Sequence, residues 1–146
     1  MITKKTKYAI KALITLAKNA DNKPMQIAEI AKSEGLPKRF LESILLDLKK
    51  NRILGSRMGA GGGYYLNIPA ADIVVSAVSR ILEGPIALLP CVSLNYYQRC
   101  EECKDEEICS IREMMFKVRK ASLEIMDHTS IADLVLREEE LSKLDS

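Results

Sequence analysis

The fold is decided by residues 38–66, which read KRFLESILLDLKKNRILGSRMGAGGGYYL. Apolar residues recur at helical spacing through the first half of this stretch, with basic and polar residues between them. The pattern predicts an amphipathic helix that opens at Pro37 and ends near Asn51. One buried stripe is expected, made of Phe40, Leu41, Ile44, Leu45 and Leu48.

A glycine-rich hairpin is predicted directly after this helix. Residues 53–57 and 64–66 are short strand candidates, and most of the segment between them is glycine. Glycine accepts positive φ and lets the backbone approach a nucleic-acid groove closely. A dinucleotide-binding loop does not fit, because Tyr64 stands where that fingerprint needs Gly or Ala, and the phosphate-loop sequence Gly-Lys-Ser/Thr is absent. We interpret the hairpin as a wing that follows DNA.

Two helices are predicted before this stretch, over residues 6–20 and from Ile27 to near Gly35. Two short helices joined by a glycine-containing turn form the helix-turn-helix pattern. Without the wing, an ordinary helical hairpin with solvated charges would explain the pattern equally well. The predicted fold class is mainly α with a small β-hairpin wing: a winged helix-turn-helix domain plus a long C-terminal dimerisation helix.

Charge is divided unevenly along the chain. Residues 1–68 carry 13 Lys and Arg against 5 acids, a net charge of +8, while residues 69–146 carry 9 against 15, a net charge of −6. A basic half is the footprint expected where phosphates are bound. Arginine can read guanine and glutamate can accept from cytosine, whereas lysine more often holds phosphate. The groove candidates on the third helix are Lys38, Arg39, Glu42 and Ser43, and the phosphate candidates are Lys49 and Lys50.

Composition excludes several classes of protein. The chain has 146 residues, enough for one domain with an appendage, and no run of about 18 apolar residues that would span a membrane. No secretory signal is recognised, so the cytoplasm is the expected location. With His128 as its single histidine, the chain offers no catalytic constellation, and an enzyme is not expected. His128 itself is interpreted as a helix-surface residue.

Beyond the wing we expect three further segments. Ser76 is predicted to cap a helix that ends at Gly84, residues 86–109 form a loop, and a long amphipathic helix follows. The apolar stripe of that helix comprises Ile111, Met114, Met115, Val118, Ala121, Ile125 and Met126. We expect it to hold a homodimer, the alternative being that it packs on its own domain. The tail, residues 137–146, is polar and expected to fray.

These expectations divide the chain at residues 85 and 109. Residues 1–85 form the DNA-binding domain, 86–109 the cysteine loop and 110–146 the dimerisation helix and tail.

All four cysteines fall in the predicted loop, with the spacing C-x8-C-x2-C-x5-C at Cys91, Cys100, Cys103 and Cys109. Structural disulfides are disfavoured in a reducing compartment, so a metal centre or a redox switch is the favoured explanation. Thiolates suit both zinc and iron–sulfur clusters. A zinc ribbon usually has two C-x2-C pairs and this chain has one, which favours zinc less without excluding it.

Five motifs together resemble the Rrf-type family of winged-helix repressors, over nearly the whole length of the chain. They are Thr6-Lys7-Tyr8-Ala9, Phe40-Leu41-Glu42, Gly59-Ala60-Gly61-Gly62-Gly63-Tyr64, Glu83-Gly84-Pro85 and the cysteine loop. The resemblance implies a regulator that binds a double-stranded DNA operator, senses iron–sulfur, redox or nitric oxide status, and acts as a repressor. It also implies that the wing contacts DNA, through Arg57 here, since relatives carry arginine one position later, where this chain has Met58.

The resemblance further implies that Cys91, Cys103 and Cys109 hold an iron–sulfur cluster, either 2Fe-2S or 4Fe-4S. Two fourth ligands common in relatives are absent: Arg112 replaces a histidine, and no acid stands at the matching place in the first helix. Cys100 is the candidate replacement, and a cluster with only three protein ligands is also compatible with the family. The alternative is a cluster-free member that uses zinc, a thiol switch, or a metabolite or protein partner as its signal.

Overall fold

The computed structural model describes residues 2–145. The helices are α1 (Lys4–Lys18), α2 (Ile27–Glu34), α3 (Lys38–Lys50), α4 (Val75–Glu83), α5 (Ser110–Asp127) and α6 (Ile131–Leu144). Strands β1 (Leu54–Arg57) and β2 (Gly63–Leu66) form one antiparallel sheet. Short 3-10 helices occupy Ala20–Asn22, Ala70–Asp72 and Pro90–Val92. This is the predicted fold class. None of the helices within residues 2–145 is long and apolar enough to cross a membrane.

The core lies where α1, α2 and α3 meet. The predicted stripe of α3 is buried at Leu41, Ile44, Leu45 and Leu48, which are at most 1% exposed. Phe40 is the exception, since it is 42% exposed. Its ring packs edge-on against Tyr8 of α1, with the ring centroids 5.7 Å apart.

The turn of the helix-turn-helix forms at the glycine where the sequence predicts it. Gly35 ends α2 in the left-handed conformation with φ of +64°, which a residue with a side chain adopts only at a cost. The next residue, Leu36, is buried and donates its backbone N–H to the Ala31 carbonyl at 2.9 Å. The turn therefore fixes the direction of α3 relative to α2.

A third backbone segment supports the wing hairpin. Met25 and Tyr64 exchange two main-chain hydrogen bonds, each of 2.8 Å, which tie β2 to the residues just before α2. A Cβ at Gly63 would lie 2.2 Å from the Met25 carbonyl oxygen, and Gly63 has φ of +133°. Glycine is therefore required at this position for both space and conformation.

The start of α4 differs from the expectation. Ser76 lies inside the first turn and is buried, and the helix begins after Val74 without a side-chain cap. The backbone N–H of Val75 instead donates to the Thr129 carbonyl at 2.9 Å, and Val74 pairs with Ser130. A main-chain partner thus satisfies a donor that a capping side chain would otherwise take.

The segment expected to fray belongs to a helix. Ser130 and Asp133 form a reciprocal capping box, with N···O distances of 3.1 and 2.9 Å. The hydrogen bond from the Ser130 backbone lowers the pKa of the Asp133 carboxyl. Ile131 is fully buried in the core, and Leu134 and Val135 pack against it. Apolar residues at helical spacing therefore outweigh the polar remainder of α6 and hold it against α1.

Candidate functional site

The exposed face of α3 carries the predicted DNA contacts. All of the candidates on this helix are exposed: Lys38, Arg39, Glu42, Ser43, Lys49 and Lys50. The Ser43 hydroxyl donates to the Phe40 carbonyl at 3.1 Å, so it is engaged within the helix. Burial raises the pKa of the Tyr64 hydroxyl in the wing, and the charge of the Glu42 carboxylate raises it further.

The wing presents Arg57 at the end of β1. Its guanidinium carbon lies 5.5 Å from the centroid of the Tyr65 ring, within the range of a cation–π contact. Gly55 faces Tyr65 across the sheet, and a Cβ there would lie 2.4 Å from the ring. The glycine therefore gives Tyr65 room to lie over the strand and support Arg57. Met58, at the tip, is 98% exposed.

All four cysteines line one cavity of about 240 Å³. Cys91 is buried within the 3-10 helix Pro90–Val92, Cys109 is the N-cap of α5, and the other two come from the loop between them. The remaining lining residues are Leu89, Glu102, Glu106, Ile111 and Arg112. The chain thus gathers four sulfurs from three local structures around one space.

Two of the thiols take part in hydrogen bonds. The Cys109 sulfur accepts a hydrogen bond from the Arg112 backbone N–H at 3.4 Å. Cys100 donates to the Glu102 carboxylate at 3.2 Å, and this hydrogen bond raises the pKa of the Cys100 thiol and lowers that of Glu102. All four cysteines are free thiols.

The cavity suits a thiophilic centre by its donors more than by its present geometry. Four thiols are the donor set of structural zinc and of iron–sulfur clusters. Among residues 2–145, however, no three Cys, His, Asp or Glu side chains lie close enough together to hold a metal ion. Within the described residues, the four thiols therefore share a cavity without the close arrangement that a single metal ion requires.

Helix α5 has one face exposed to solvent and another that packs against the rest of the chain. None of its residues is buried. Ile111, Met114, Val118 and Ile125 of the predicted stripe are 60%, 51%, 39% and 68% exposed. Met115 and Met126, expected on the same stripe, are half-buried on the side that packs on α4 and the 3-10 helix. The apolar surface is therefore wider than one stripe, and part of it already has a partner within the chain.

Comparison with known proteins decides the family. The family Rrf2, described as an iron-dependent transcriptional regulator, matches residues 2–137. The chain belongs to the Rrf2 family. A Rhodobacter capsulatus protein described as an rrf2-like HTH-type transcriptional regulator is 43% identical, across 99% of this chain and 98% of that protein. Bacillus subtilis CymR, also an HTH-type transcriptional regulator, is 31% identical, across 91% of this chain and 88% of CymR.

Solved structures of the Rrf2 family agree with the fold. The structure of B. subtilis CymR, described as the global cysteine regulator, superposes with a TM-score of 0.78 at 28% identity, covering 94% of this chain and 97% of CymR. T. potens IscR superposes with a TM-score of 0.77 at 27% identity, covering 97% and 90%. The chain is thus a DNA-binding transcriptional regulator of the Rrf2 family, and regulators of this family are not enzymes.

Sequence reasoning missed the part that Arg112 plays in this Rrf2 chain. It was noted only as the residue that replaces a histidine, yet its side chain lines the cysteine cavity and its Nε is buried without a hydrogen-bond partner among the described residues. The signal was its position three residues after Cys109, which places it one helical turn along α5 from the capping sulfur.

Proposed function

We propose that the protein binds an operator in double-stranded DNA as a homodimer, and that its cysteine cavity holds an iron–sulfur cluster whose state sets operator affinity. We expect it to act in the cytoplasm, where DNA and reduced thiols occur together. The proposal has three parts, which concern α3 with the wing, α5, and the cavity.

The reading surface is the exposed face of α3. Recognition helices insert their N-terminal residues into the major groove, which assigns base contact to Lys38, Arg39 and Glu42. Lys49 and Lys50 lie at the opposite end of α3 and are exposed, so we assign them to phosphate. Arg57, whose guanidinium lies over the Tyr65 ring, is assigned to the DNA backbone beside the wing. The burial of the opposite face of α3 supports this orientation.

The dimer surface is the exposed stripe of α5. Its residues at 111, 114, 118, 121 and 125 follow the alternating three- and four-residue spacing of a helix–helix seam. A second copy of α5 would cover this stripe and set the distance between two recognition helices. That distance must match half-sites about one helical turn of DNA apart.

The cavity is the proposed sensor, and the observation that carries this proposal is the convergence of all four cysteines on one space. Cys91, Cys103 and Cys109 are the assigned cluster ligands, with Cys100 as the fourth. When bound, an iron–sulfur cluster supplies a redox-active and ligand-sensitive centre. The Arg112 guanidinium in the cavity wall would offset the negative charge of the thiolates.

The sensor can reach α5 through existing contacts. Cys109 caps α5, and the Arg119 guanidinium of α5 donates to the Val92 carbonyl beside Cys91. Cys109 therefore adjoins the helix that carries the dimer stripe, and Cys91 is linked to that helix through its neighbour Val92. Ordering the cysteine loop would bias how α5 sits on α4.

A second candidate is a cluster-free sensor in which the same thiols are oxidised or bind zinc. The observation in its favour is that all four cysteines are free thiols and line one cavity, where oxidation or zinc could join them.

Anaerobic purification followed by a visible spectrum and by iron, sulfide and zinc analysis tests the proposal. We expect iron and sulfide, a colourless Cys103→Ser variant, and an unchanged chromophore in Lys104→Ser, a loop control. Cys100→Ser discriminates four cysteine ligands from three by losing or keeping the chromophore. Stoichiometric zinc without iron or sulfide would contradict the cluster, and the absence of all three would favour the thiol switch.

A further inference from the structure

A second cavity lies on the inner side of α5, and it shares no lining residue with the cysteine cavity. It has a volume of about 220 Å³, is open to solvent on one side, and is lined by Ile2, α4, residues 85–88 and α5. Its walls are mainly apolar, and the hydroxyl-bearing Ser79 and Ser122 add two polar groups. The apolar side chains include Ile86, Leu88, Val118 and Met126.

Arg119 is the charged residue in the described lining of this cavity. Its guanidinium donates through Nη1 to the Val92 carbonyl and lies over the Phe116 ring, with its carbon 4.3 Å from the ring centroid. The Nε atom is buried and has no hydrogen-bond partner among the described residues. Because Nε is buried, an acceptor in the cavity would reach this guanidinium through its Nη atoms, and the positive charge in the lining favours an anion there.

We propose that this cavity binds a small amphipathic carboxylate, with the carboxylate on Arg119 and the hydrocarbon part against the apolar wall. Arginine and carboxylate form the stronger, charge-assisted class of hydrogen bond. A cavity of about 150 Å³ is large enough to bind benzene, so the present volume accommodates a chain of six or so carbons.

The site can be tested separately from the other proposals. Arg119, Ser122 and Met126 lie on the half-buried side of α5, and Val118 is the lining residue that also belongs to the proposed dimer stripe. Binding requires neither the cluster nor DNA. Failure of either of those proposals would therefore leave this one testable, and the reverse is also true.

Calorimetric titration of the full chain with hexanoate tests the proposal, with 1-hexanol as the uncharged probe of the same chain length. We expect hexanoate to saturate one site per chain and hexanol to bind at least about tenfold more weakly, because it cannot form the charge-assisted hydrogen bond. Arg119→Gln should weaken hexanoate by a similar factor. Lys120→Gln removes one positive charge from an exposed position of the same helix and should leave binding unchanged.

Because Arg119 also holds the Val92 carbonyl, a second variant tests the cavity without disturbing that bond. Ser122→Leu places a larger side chain in the wall and should abolish hexanoate binding while the circular dichroism of the chain is retained. The proposal is overturned if hexanoate shows no saturable site, if hexanol binds as tightly as hexanoate, or if Ser122→Leu binds hexanoate like the parent.

Discussion

The sulfur of Cys109 accepts a hydrogen bond from the backbone N–H of Arg112 across 3.4 Å, so one atom both lines the cysteine cavity and caps α5. A helix N-terminus leaves its first N–H groups without intrahelical partners. A change at this sulfur, by ligation or oxidation, therefore alters the first turn of the helix that carries the proposed dimer stripe.

Replacing Cys109 separates the two roles. Serine is a strong N-cap but a poor ligand for a soft metal centre, whereas alanine is neither. We expect Cys109→Ser to lose the chromophore and keep its stability without metal. In urea, Cys109→Ala should unfold with a free energy lower than that of the serine variant by about 0.5–2 kcal/mol. Equal stability of the two variants would contradict the capping role, and a chromophore retained by Cys109→Ser would contradict ligation.

Arg39→Ala should weaken binding to the operator by about 1–3 kcal/mol, because a good bidentate contact to a base contributes that much discrimination. Binding to unrelated duplex should change less. Fluorescence anisotropy with both duplexes measures the difference. Arg137→Ala removes an exposed arginine of α6 that pairs with Glu140, and this control should bind the operator normally. An equal loss on both duplexes would reassign Arg39 to phosphate.

Lys49→Ala should behave differently, since a phosphate contact carries no sequence information. We expect affinity to fall by a similar factor on operator and unrelated duplex. The slope of log affinity against log salt should become shallower by about 0.9 for each phosphate that the protein no longer neutralises. Lys120→Ala is the matched lysine control. An unchanged salt slope for Lys49→Ala would remove this residue from the phosphate-binding set.

Ile125→Glu should shift the protein from dimer to monomer, because a carboxylate would be buried in an apolar seam. Ile125 is 68% exposed and lines neither cavity, so the chain itself should remain folded. Lys120→Glu places an acid on the same helix away from the stripe and should stay dimeric. Sedimentation velocity distinguishes the two. A dimeric Ile125→Glu variant, or a monomeric parent protein, would contradict the assignment.

The reading domain could be predicted because its local signals agree with its packing. The apolar stripe from Leu41 to Leu48 indicates the buried face of α3. Gly35 indicates the turn before that helix, and the glycines of the wing indicate the hairpin after it. The structure meets all of these at once. The pairing of Met25 with Tyr64 could not be predicted, because it joins residues distant in sequence through main-chain atoms that carry no sequence signature.

Helix α6 was missed although its signals are present. Ser130 and Asp133 stand three residues apart, as in a capping box, and Ile131 with Leu134 begins a helical stripe. The polar residues that follow, including Glu138, led instead to the prediction of a frayed tail. In the structure that polar face is used, since Glu138 pairs with Lys18 of α1 at 3.0 Å.

The cysteine site was predicted in composition but not in environment. Spacing alone placed the four thiols in one loop, and the structure brings them to one cavity. The partners of these thiols depend on tertiary packing, as with Glu102 against Cys100 and Arg112 in the cavity wall. Such contacts between side chains are decided by how the loop folds back on α5.

The central claim is that the state of the cysteine cavity sets operator affinity. It is tested most directly by anaerobic measurement of the dissociation constants of two duplexes, an operator selected from a random pool and an unrelated sequence, with cluster-loaded protein and with Cys103→Ser. The account predicts operator affinities that differ by about fivefold or more, within the usual range of coupling between sites, and equal affinities for the unrelated duplex. Identical operator affinity in the two proteins, or an equal shift on both duplexes, would contradict it.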